Sequence, residues 1–406
     1  MRQIFDIKQV LKSTLIQSAG IYTITSALNA AIPFLLMPVL TRYLTPADYG
    51  MVSMFGVLVS FASAFVGLNA DSAISRQYYD RDEVDIRRYI STCLLIFLCS
   101  SMVVFFAFYL LAEPLSRITS VPRQWLWAVV IVCAAQFLTR TVLVLWQVQV
   151  KPKAYGTFQI AQTLTNAGLS LLFVVVFGFA WQGRIAGQII TAVFFAIIAI
   201  YILYRDKWLP ARIDKTYTNH IFKFGIPLIP HTLGAIIITM TDRLFITNMV
   251  GLESTGLYTV GYQIGMIIGI LEDSFNRAYV PWLFERLKAN QVATKIKLVQ
   301  ITYAYFVLIL VIAVVLSAIA PWFLSFFVGE QFTGSAVFVL WIALSYAFDG
   351  MYKMVVNYIF YAQKTYILAW ITFLTAGINI ILNYLLIRIN GAIGAAQATT
   401  ATFALQ

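Results

Sequence analysis

VQITYAYFVLILVIAVVLSAIA, residues 299–320, carries no charged side chain from end to end. A helix crossing the hydrocarbon core of a bilayer needs about 20 consecutive, mostly apolar residues, and this stretch supplies them. Its Leu, Ile and Val are continuous and do not alternate with period two, which disfavours a barrel strand. Comparable runs occupy 14–40, 51–69, 89–112, 125–146, 157–181, 185–204, 222–250, 257–272, 336–356 and 365–387, and a last one opens near Gly391. The chain is therefore expected to be an all-α integral membrane protein with about 12 transmembrane helices.

The whole-chain composition agrees. Of 406 residues, 61% are hydrophobic and 11% charged, against about 25% charged in an ordinary soluble domain. Such a chain cannot cover a soluble surface, which excludes a cytosolic enzyme, a disordered protein and a secreted disulfide scaffold. Residues 1–13 are not a cleavable signal: Lys8 and Lys12 precede an apolar run much longer than a signal core. Ile4, Phe5, Ile7, Val10 and Leu11 suit either a short interfacial helix or a frayed tail.

The net charge of +11 becomes informative once it is partitioned. With the N-terminus inside, most of the 28 cations fall on cytoplasmic segments, whereas the outer ones hold Arg42, Arg117, Arg123, Arg184 and Arg388. This asymmetry predicts a cytoplasmic N-terminus. It also removes the excess charge as a sign of nucleic-acid binding. The outer loops are too short to hold a catalytic domain.

The two halves of the chain repeat. Thr41-Arg42-Tyr43-Leu44 resembles Asp242-Arg243-Leu244-Phe245, and Gly50 and Gly256 each open the following helix. Lys153-Ala154-Tyr155 matches Lys364-Thr365-Tyr366, and Gly183-Arg184-Ile185 matches Gly391-Ala392-Ile393. The order and near-constant offset of these matches indicate two six-helix lobes in a parallel pseudo-twofold repeat. The expected division is an N-lobe at 1–205, a cytoplasmic linker at 206–223 and a C-lobe at 224–406. By the repeat, the last span is expected to be truncated at Gln406, with a naturally short ending as the alternative.

Nothing points to catalysis. There is no phosphate-cradling glycine loop, zinc-protease motif or nucleophile elbow, and Asp48 is a lone acid in the first outer loop. His220 is expected in a loop and His231 in a span. Cys93, Cys99 and Cys133 have no ligand spacing and read as small buried hydrophobes. No cofactor or metal is expected.

Ionisable groups within spans are costly and so mark function or structure. Arg140, in span four, suits a cation facing an anionic substrate in a cavity, or a snorkelling or structurally paired side chain. Asp242 and Arg243 are adjacent on span seven and point about 100° apart, which suits an interhelical structural pair or ion coupling. Asp349 and Lys353 are four residues apart with the acid first, the favourable order for a salt bridge, with ion coupling the alternative. Glu272 and Asp273, at the end of span eight, are expected to be solvated. Asn29 and Asn166 can face a wet cavity. Pro33 and Pro38 interrupt span one, and Pro227 and Pro230 span seven; both helices are expected to bend there and to gate the pathway.

These residues also carry a family resemblance. The run Pro38-Val39-Leu40-Thr41-Arg42-Tyr43-Leu44-Thr45-Pro46-Ala47-Asp48-Tyr49-Gly50 resembles the exit of span one in Wzx-type bacterial polysaccharide (O-antigen) flippases. Ala73-Ile74-Ser75-Arg76-Gln77-Tyr78-Tyr79 is similar to the segment after their second span, and Asp242-Arg243-Leu244-Phe245 with Gly256-Leu257-Tyr258 to the start of their second half. Leu382-Asn383-Tyr384-Leu385-Leu386-Ile387 and Gly391-Ala392-Ile393-Gly394-Ala395-Ala396 resemble their last two spans.

The resemblance covers essentially the whole chain. It implies the multidrug/oligosaccharidyl-lipid/polysaccharide exporter fold, two lobes around a central cavity. It also implies translocation of undecaprenyl-diphosphate-linked oligosaccharide from the cytoplasmic to the periplasmic leaflet of the bacterial inner membrane, in polysaccharide or lipopolysaccharide biosynthesis. The lobes would rock in alternating access, with Arg140, Arg42, Asn29 and Asn166 as substrate contacts. Implied partners are the lipid-linked oligosaccharide, membrane lipids and other polysaccharide-assembly membrane proteins. The rivals are a cation-coupled drug exporter, an integral-membrane polymerase or acyltransferase, and a scaffold. Residues 14–40 hold no Asp or Glu, unlike the acid such drug exporters usually carry in their first span.

Overall fold

A computed structural model describes residues 14–209, 214–289, 292–362 and 366–406. The expected interfacial helix at 1–13, part of the 206–223 linker, and Lys364 and Thr365 of the repeat lie outside the described residues. Within them every regular element is helical. In chain order these are α1 Thr14–Tyr43, α2 Pro46–Ser63, α3 Ala70–Gln77, α4 Ile86–Leu110, α5 Ala112–Thr119, α6 Leu126–Val148, α7 Pro152–Leu171 and α8 Ala180–Arg205. There follow α9 Lys215–Gly225, α10 Leu228–Met249, α11 Leu252–Gly265, α12 Ile267–Ala289, α13 Val292–Phe327, α14 Ala336–Tyr361, α15 Tyr366–Asn390 and α16 Ala392–Leu405.

Among the described residues, ten segments are helical, long and apolar enough to cross a membrane. Two of the expected spans fall short of that measure. The second, expected at 51–69, stops at Ser63: Gly67, Leu68 and Asn69 all take positive φ (79°, 50° and 57°), which turns the chain before α3 begins. A side chain at position 67 would also collide with the Phe137 ring. The other is α16, with 14 residues.

The helix boundaries follow local chemistry. Asp85 caps α4 by accepting from the Arg88 amide, and Asp214 caps α9 by accepting from those of Thr216 and Tyr217. Pro152 stands in the first turn of α7, where its missing N–H costs nothing. The expected span seven is in two pieces, because Pro227 separates α9 from α10. His220, expected in a loop, lies in α9 with its ring Nδ1 3.0 Å from the Tyr89 hydroxyl. The reason is that the Asp214 cap starts a helix earlier than hydropathy alone shows.

The fold has two compact units. The first takes in the described residues of Met1–Tyr43, Leu58–Arg117 and Val121–Pro230; the second those of Leu44–Val57, Ile118–Ser120 and His231–Gln406. In the first, α7 packs between α1 and α8, and α6 packs on α3, α4 and α8. Phe97 stacks on Phe137 at 4.6 Å between ring centres. In the second, α14 is central, touching α11, α12, α13 and α16, and α15 packs on α16.

The glycines that mark the repeat have a common task in the second unit. Gly50 of α2 and Gly256 of α11 meet where the two helices cross. A Cβ on Gly256 would strike the Pro46 carbonyl, and one on Gly50 the Leu252 carbonyl. Both obstacles are backbone, so neither can swing aside. Thr259 donates to Ser53 Oγ at 2.9 Å, and Tyr49 to Gln263 Oε1 at 3.4 Å, across the same crossing. Between lipid-immersed helices, close packing of small residues and such hydrogen bonds supply the attraction.

Gly50→Ala and Gly256→Ala should each destabilise the protein by about 1–3 kcal/mol through overpacking, seen as a lower melting temperature in detergent. Gly56→Ala is the control on the same helix: a Cβ there meets nothing within 4 Å. It should leave the melting temperature unchanged or raise it, since alanine is the better helix former.

Candidate functional site

Polar residues recur along three helices of the first unit at the spacing that puts them on one face. On α1 they are accompanied by the kink former: Asn29 and Pro33. On α7 they are Gln162, Thr163 and Asn166, and on α8 Arg184, Gln188 and Thr191. With Gln136 of α6, these side chains line a pocket of about 240 Å³. Among the described lining residues Arg184 is the one charge.

The pocket wall is hydrogen-bonded. Arg184 Nη1 donates to Asn166 Oδ1 at 2.7 Å and to Ser170 Oγ at 2.9 Å, which orients the guanidinium. Thr163 donates to Asn29 Oδ1 at 2.6 Å, tying α7 to α1. The structure thus brings Asn29, Asn166 and Pro33 together. Sequence reasoning had counted Arg184 as an outer-loop cation. Its place near the start of α8, one helical turn from Gln188 and two from Thr191, was the available signal.

The other expected substrate contacts stand elsewhere. Arg140 is exposed on α6, one turn beyond Gln136 and outside the pocket lining. Arg42 ends α1, exposed, and donates to the Pro38 carbonyl at 3.1 Å. Thr41 donates to the Met37 carbonyl at 2.8 Å. These two side chains cap carbonyls around Pro38, and α1 runs through Pro33 and Pro38 as one element. Pro230 lies in the first turn of α10, a position that tolerates proline, so the break is at Ile226–Pro227.

Two polar clusters occupy the second unit. In the first, Asp242 on α10 is fully buried. Its Oδ2 accepts from Tyr258 at 2.5 Å and from Thr399 at 2.6 Å, and its Oδ1 from Asn383 Nδ2 at 2.8 Å. Arg243 points the other way, as adjacency on a helix requires. It donates to the Thr239 carbonyl at 2.8 Å and lies 4.4 Å from the Tyr262 ring centre, a cation–π contact. Tyr258 serves both neighbours, with its hydroxyl on Asp242 and its ring 5.7 Å from the Arg243 guanidinium.

In the other cluster, Lys353 Nζ reaches Asp349 at 3.0 Å, Asp273 at 2.7 Å and Glu272 at 2.5 Å. The i, i+4 pair expected on α14 is present, and it is part of a larger group. Glu272, expected to be solvated, is 1% exposed. The correction has a simple cause: α12 continues to Ala289, so Glu272 is inside the helix and facing α14 and not at its end. Cys93 and Cys133 are buried, as expected, whereas Cys99 is exposed.

Removing the one cation of this cluster should cost more than its net attraction, because partly buried carboxylates are left uncompensated. Lys353→Met should destabilise the protein by about 3–5 kcal/mol, read as poor accumulation in the membrane and a lower melting temperature. The double variant Lys353→Met/Glu272→Gln should recover part of that loss.

Three comparisons bear on this arrangement. Residues 15–287 match the family "Polysaccharide biosynthesis protein". The chain is 28% identical over 361 residues to an uncharacterized membrane protein of Haemophilus influenzae, covering 87% of this chain and 85% of that one. It is 24% identical to "Lsg locus putative protein 1" of the same organism, covering 85% and 84%. Among solved structures, the lipid II flippase MurJ in an inward closed conformation superposes with a TM-score of 0.75 at 14% identity, covering 96% of this chain and 85% of that one. A multidrug resistance MATE family transporter of the MOP superfamily, inward-facing, gives 0.67 at 13% identity, covering 93% and 91%. At such identities the likeness is one of fold, and that fold is the one expected for the multidrug/oligosaccharidyl-lipid/polysaccharide exporters. With the family match extending over more than half of its length, this chain belongs to the polysaccharide biosynthesis protein family.

Proposed function

We propose that the protein flips a lipid-diphosphate-linked oligosaccharide, a polysaccharide or O-antigen repeat unit, from the cytoplasmic to the periplasmic leaflet of the bacterial inner membrane. The observation that carries this reading is the pocket of the first unit, an amide-lined site with Arg184 as the one charge among its described lining residues, set among apolar helices. Of its lining, Asn29 Nδ2 and the Thr191 hydroxyl are buried without a partner, a cost in hydrocarbon that a polar ligand offsets. The family and the flippase-type fold support the same reading. The cation asymmetry of the loops supports a cytoplasmic N-terminus.

Each expected site residue takes a role in this scheme. Arg140 and Arg42 attract the diphosphate, since guanidinium groups pair well with phosphate oxygens. Asn29 and Asn166 belong to the glycan side. The protein works by alternating access, with Pro33 and Pro38 of α1 and Pro227 at the α9–α10 junction as the flexure points, and Pro230 just beyond in the first turn of α10. Asp242, sealed among hydroxyl and amide groups, is the ion-coupling carboxylate; Arg243 sets its field through Tyr258. Asp349 and Lys353 form a structural tie between α14 and α12. Membrane lipids and other polysaccharide-assembly membrane proteins are its partners. A cation-drug exporter is disfavoured by the sign of the pocket charge, which would repel a cationic drug.

The test is translocation of a polyprenyl-diphosphate-linked oligosaccharide in proteoliposomes, read as the fraction accessible to an external glycosidase. The wild type should expose substrate, and a cationic dye should not be moved. Arg140→Ala should slow exposure by roughly tenfold, the effect of losing about 1.4 kcal/mol, and Arg140→Lys less. Equal, wild-type rates for both variants would remove Arg140 as a diphosphate contact, and failure of the wild type to expose substrate would sink the flippase reading.

A further inference from the structure

The pocket of the first unit holds polar atoms with nothing to bond. The Thr191 hydroxyl is buried, with the residue 1% exposed, and has no hydrogen-bond partner. Helical Ser and Thr ordinarily return their hydroxyl to the carbonyl one turn back. Thr163 does so to Gln159 at 3.0 Å and Ser170 to Asn166 at 2.6 Å. Thr191, on the same pocket wall, does not. Asn29 Nδ2 is likewise buried and unpartnered, although Asn29 Oδ1 is bonded to Thr163. Each such orphan is costly to bury, a cost that a ligand removes by pairing with it.

The chemistry of the wall says which ligand. Gln136, Gln162, Gln188 and Asn29 each offer an amide donor beside an amide acceptor, the pattern that matches neighbouring hydroxyls, which both give and take hydrogen bonds. The volume, about 240 Å³, is on the scale of one pyranose ring and well short of a trisaccharide. Among the described lining residues Arg184 is the one charge and none is acidic, which favours an anionic group on the ligand over a cationic one. Asn166 and Ser170 hold that guanidinium in place for a planar anion, the geometry that arginine binds in bidentate fashion.

We propose that this pocket is a monosaccharide subsite selective for a carboxylated sugar, with Arg184 on the carboxylate and the amides and Thr191 on ring hydroxyls. This rests on the saccharide-translocation reading and adds a recognition element contained within one unit. The anion could otherwise come from a phosphate of the lipid diphosphate, and the test separates the two.

The pocket is probed in the full-length protein by Ala167→Cys, a lining residue without a polar role, in a Cys99→Ser background that removes the exposed native thiol. Maleimide labelling of residue 167 is timed in detergent with millimolar glucuronate, glucose or inorganic pyrophosphate. Glucuronate should slow labelling severalfold and more than glucose does, and Arg184→Gln should abolish the difference. Thr191→Val should raise the melting temperature, by removing the orphan hydroxyl, and at the same time weaken protection by glucuronate. That combination would not arise from a merely structural threonine, and it is available if Arg184→Gln fails to fold. Equal protection by glucose and glucuronate, protection by pyrophosphate alone, or no protection by any of the three would each overturn the proposal. Because labelling reports binding and not flipping, a protein that binds glucuronate but exposes no lipid-linked substrate would sink the flippase reading and leave the subsite standing.

Discussion

Hydrocarbon offers a helix no hydrogen-bond partner, so each polar side chain within a span must find one inside the protein or border on water. The three polar groupings of this molecule are solutions to that constraint. Asp242 is sealed by three donors from α11, α15 and α16. Lys353 gathers three carboxylates from two helices. The amides of α1, α6, α7 and α8 instead open onto a pocket, with some of their donors and acceptors left over. The first two are built around paired charges and carboxylate hydrogen bonds, with the Asn383 Oδ1 and Glu272 Oε2 atoms left over, whereas the third lines an open pocket.

This difference divides the chemistry of the two units. The first presents neutral amides and one guanidinium, suited to sugars and anions. The second buries carboxylates among tyrosine, asparagine and threonine, suited to a proton or a small cation. Gly50 and Gly256 meet where a Cβ on either would strike backbone, so geometry alone fixes these two positions.

The hydropathy pattern revealed the helical membrane class, because long uncharged runs have no other stable use. Much of the site was also visible: Asn29, Asn166 and Pro33 converge, and Asp349 does pair with Lys353. What escaped notice depended on helix ends. Arg184 looked like a loop residue because it sits at the edge of an apolar run, and Glu272 looked solvated for the same reason. Hydropathy marks where an apolar run ends and not where its helix ends, and both helices continue past the run, which keeps these two side chains inside them. Arg140 is the converse case: a charge well inside a run is conspicuous in sequence, yet it stands outside the pocket lining. The i, i+4, i+7 faces of α7 and α8 carried the information that single charges did not.

The crossing of α2 with α11 has a consequence for biogenesis. Gly50 is synthesised roughly 200 residues before Gly256, and at about 5–20 residues per second its partner emerges on the order of 10–40 s later. During that interval the glycine face of α2 is in the bilayer without its close-packed neighbour, and Leu44–Val57 belongs to a unit not yet made. The second unit therefore cannot mature as an independent C-terminal module. Its assembly waits on an early helix being held in register, which makes the nascent chain dependent on insertion machinery or on lipid packing to keep that face unoccupied by a wrong partner.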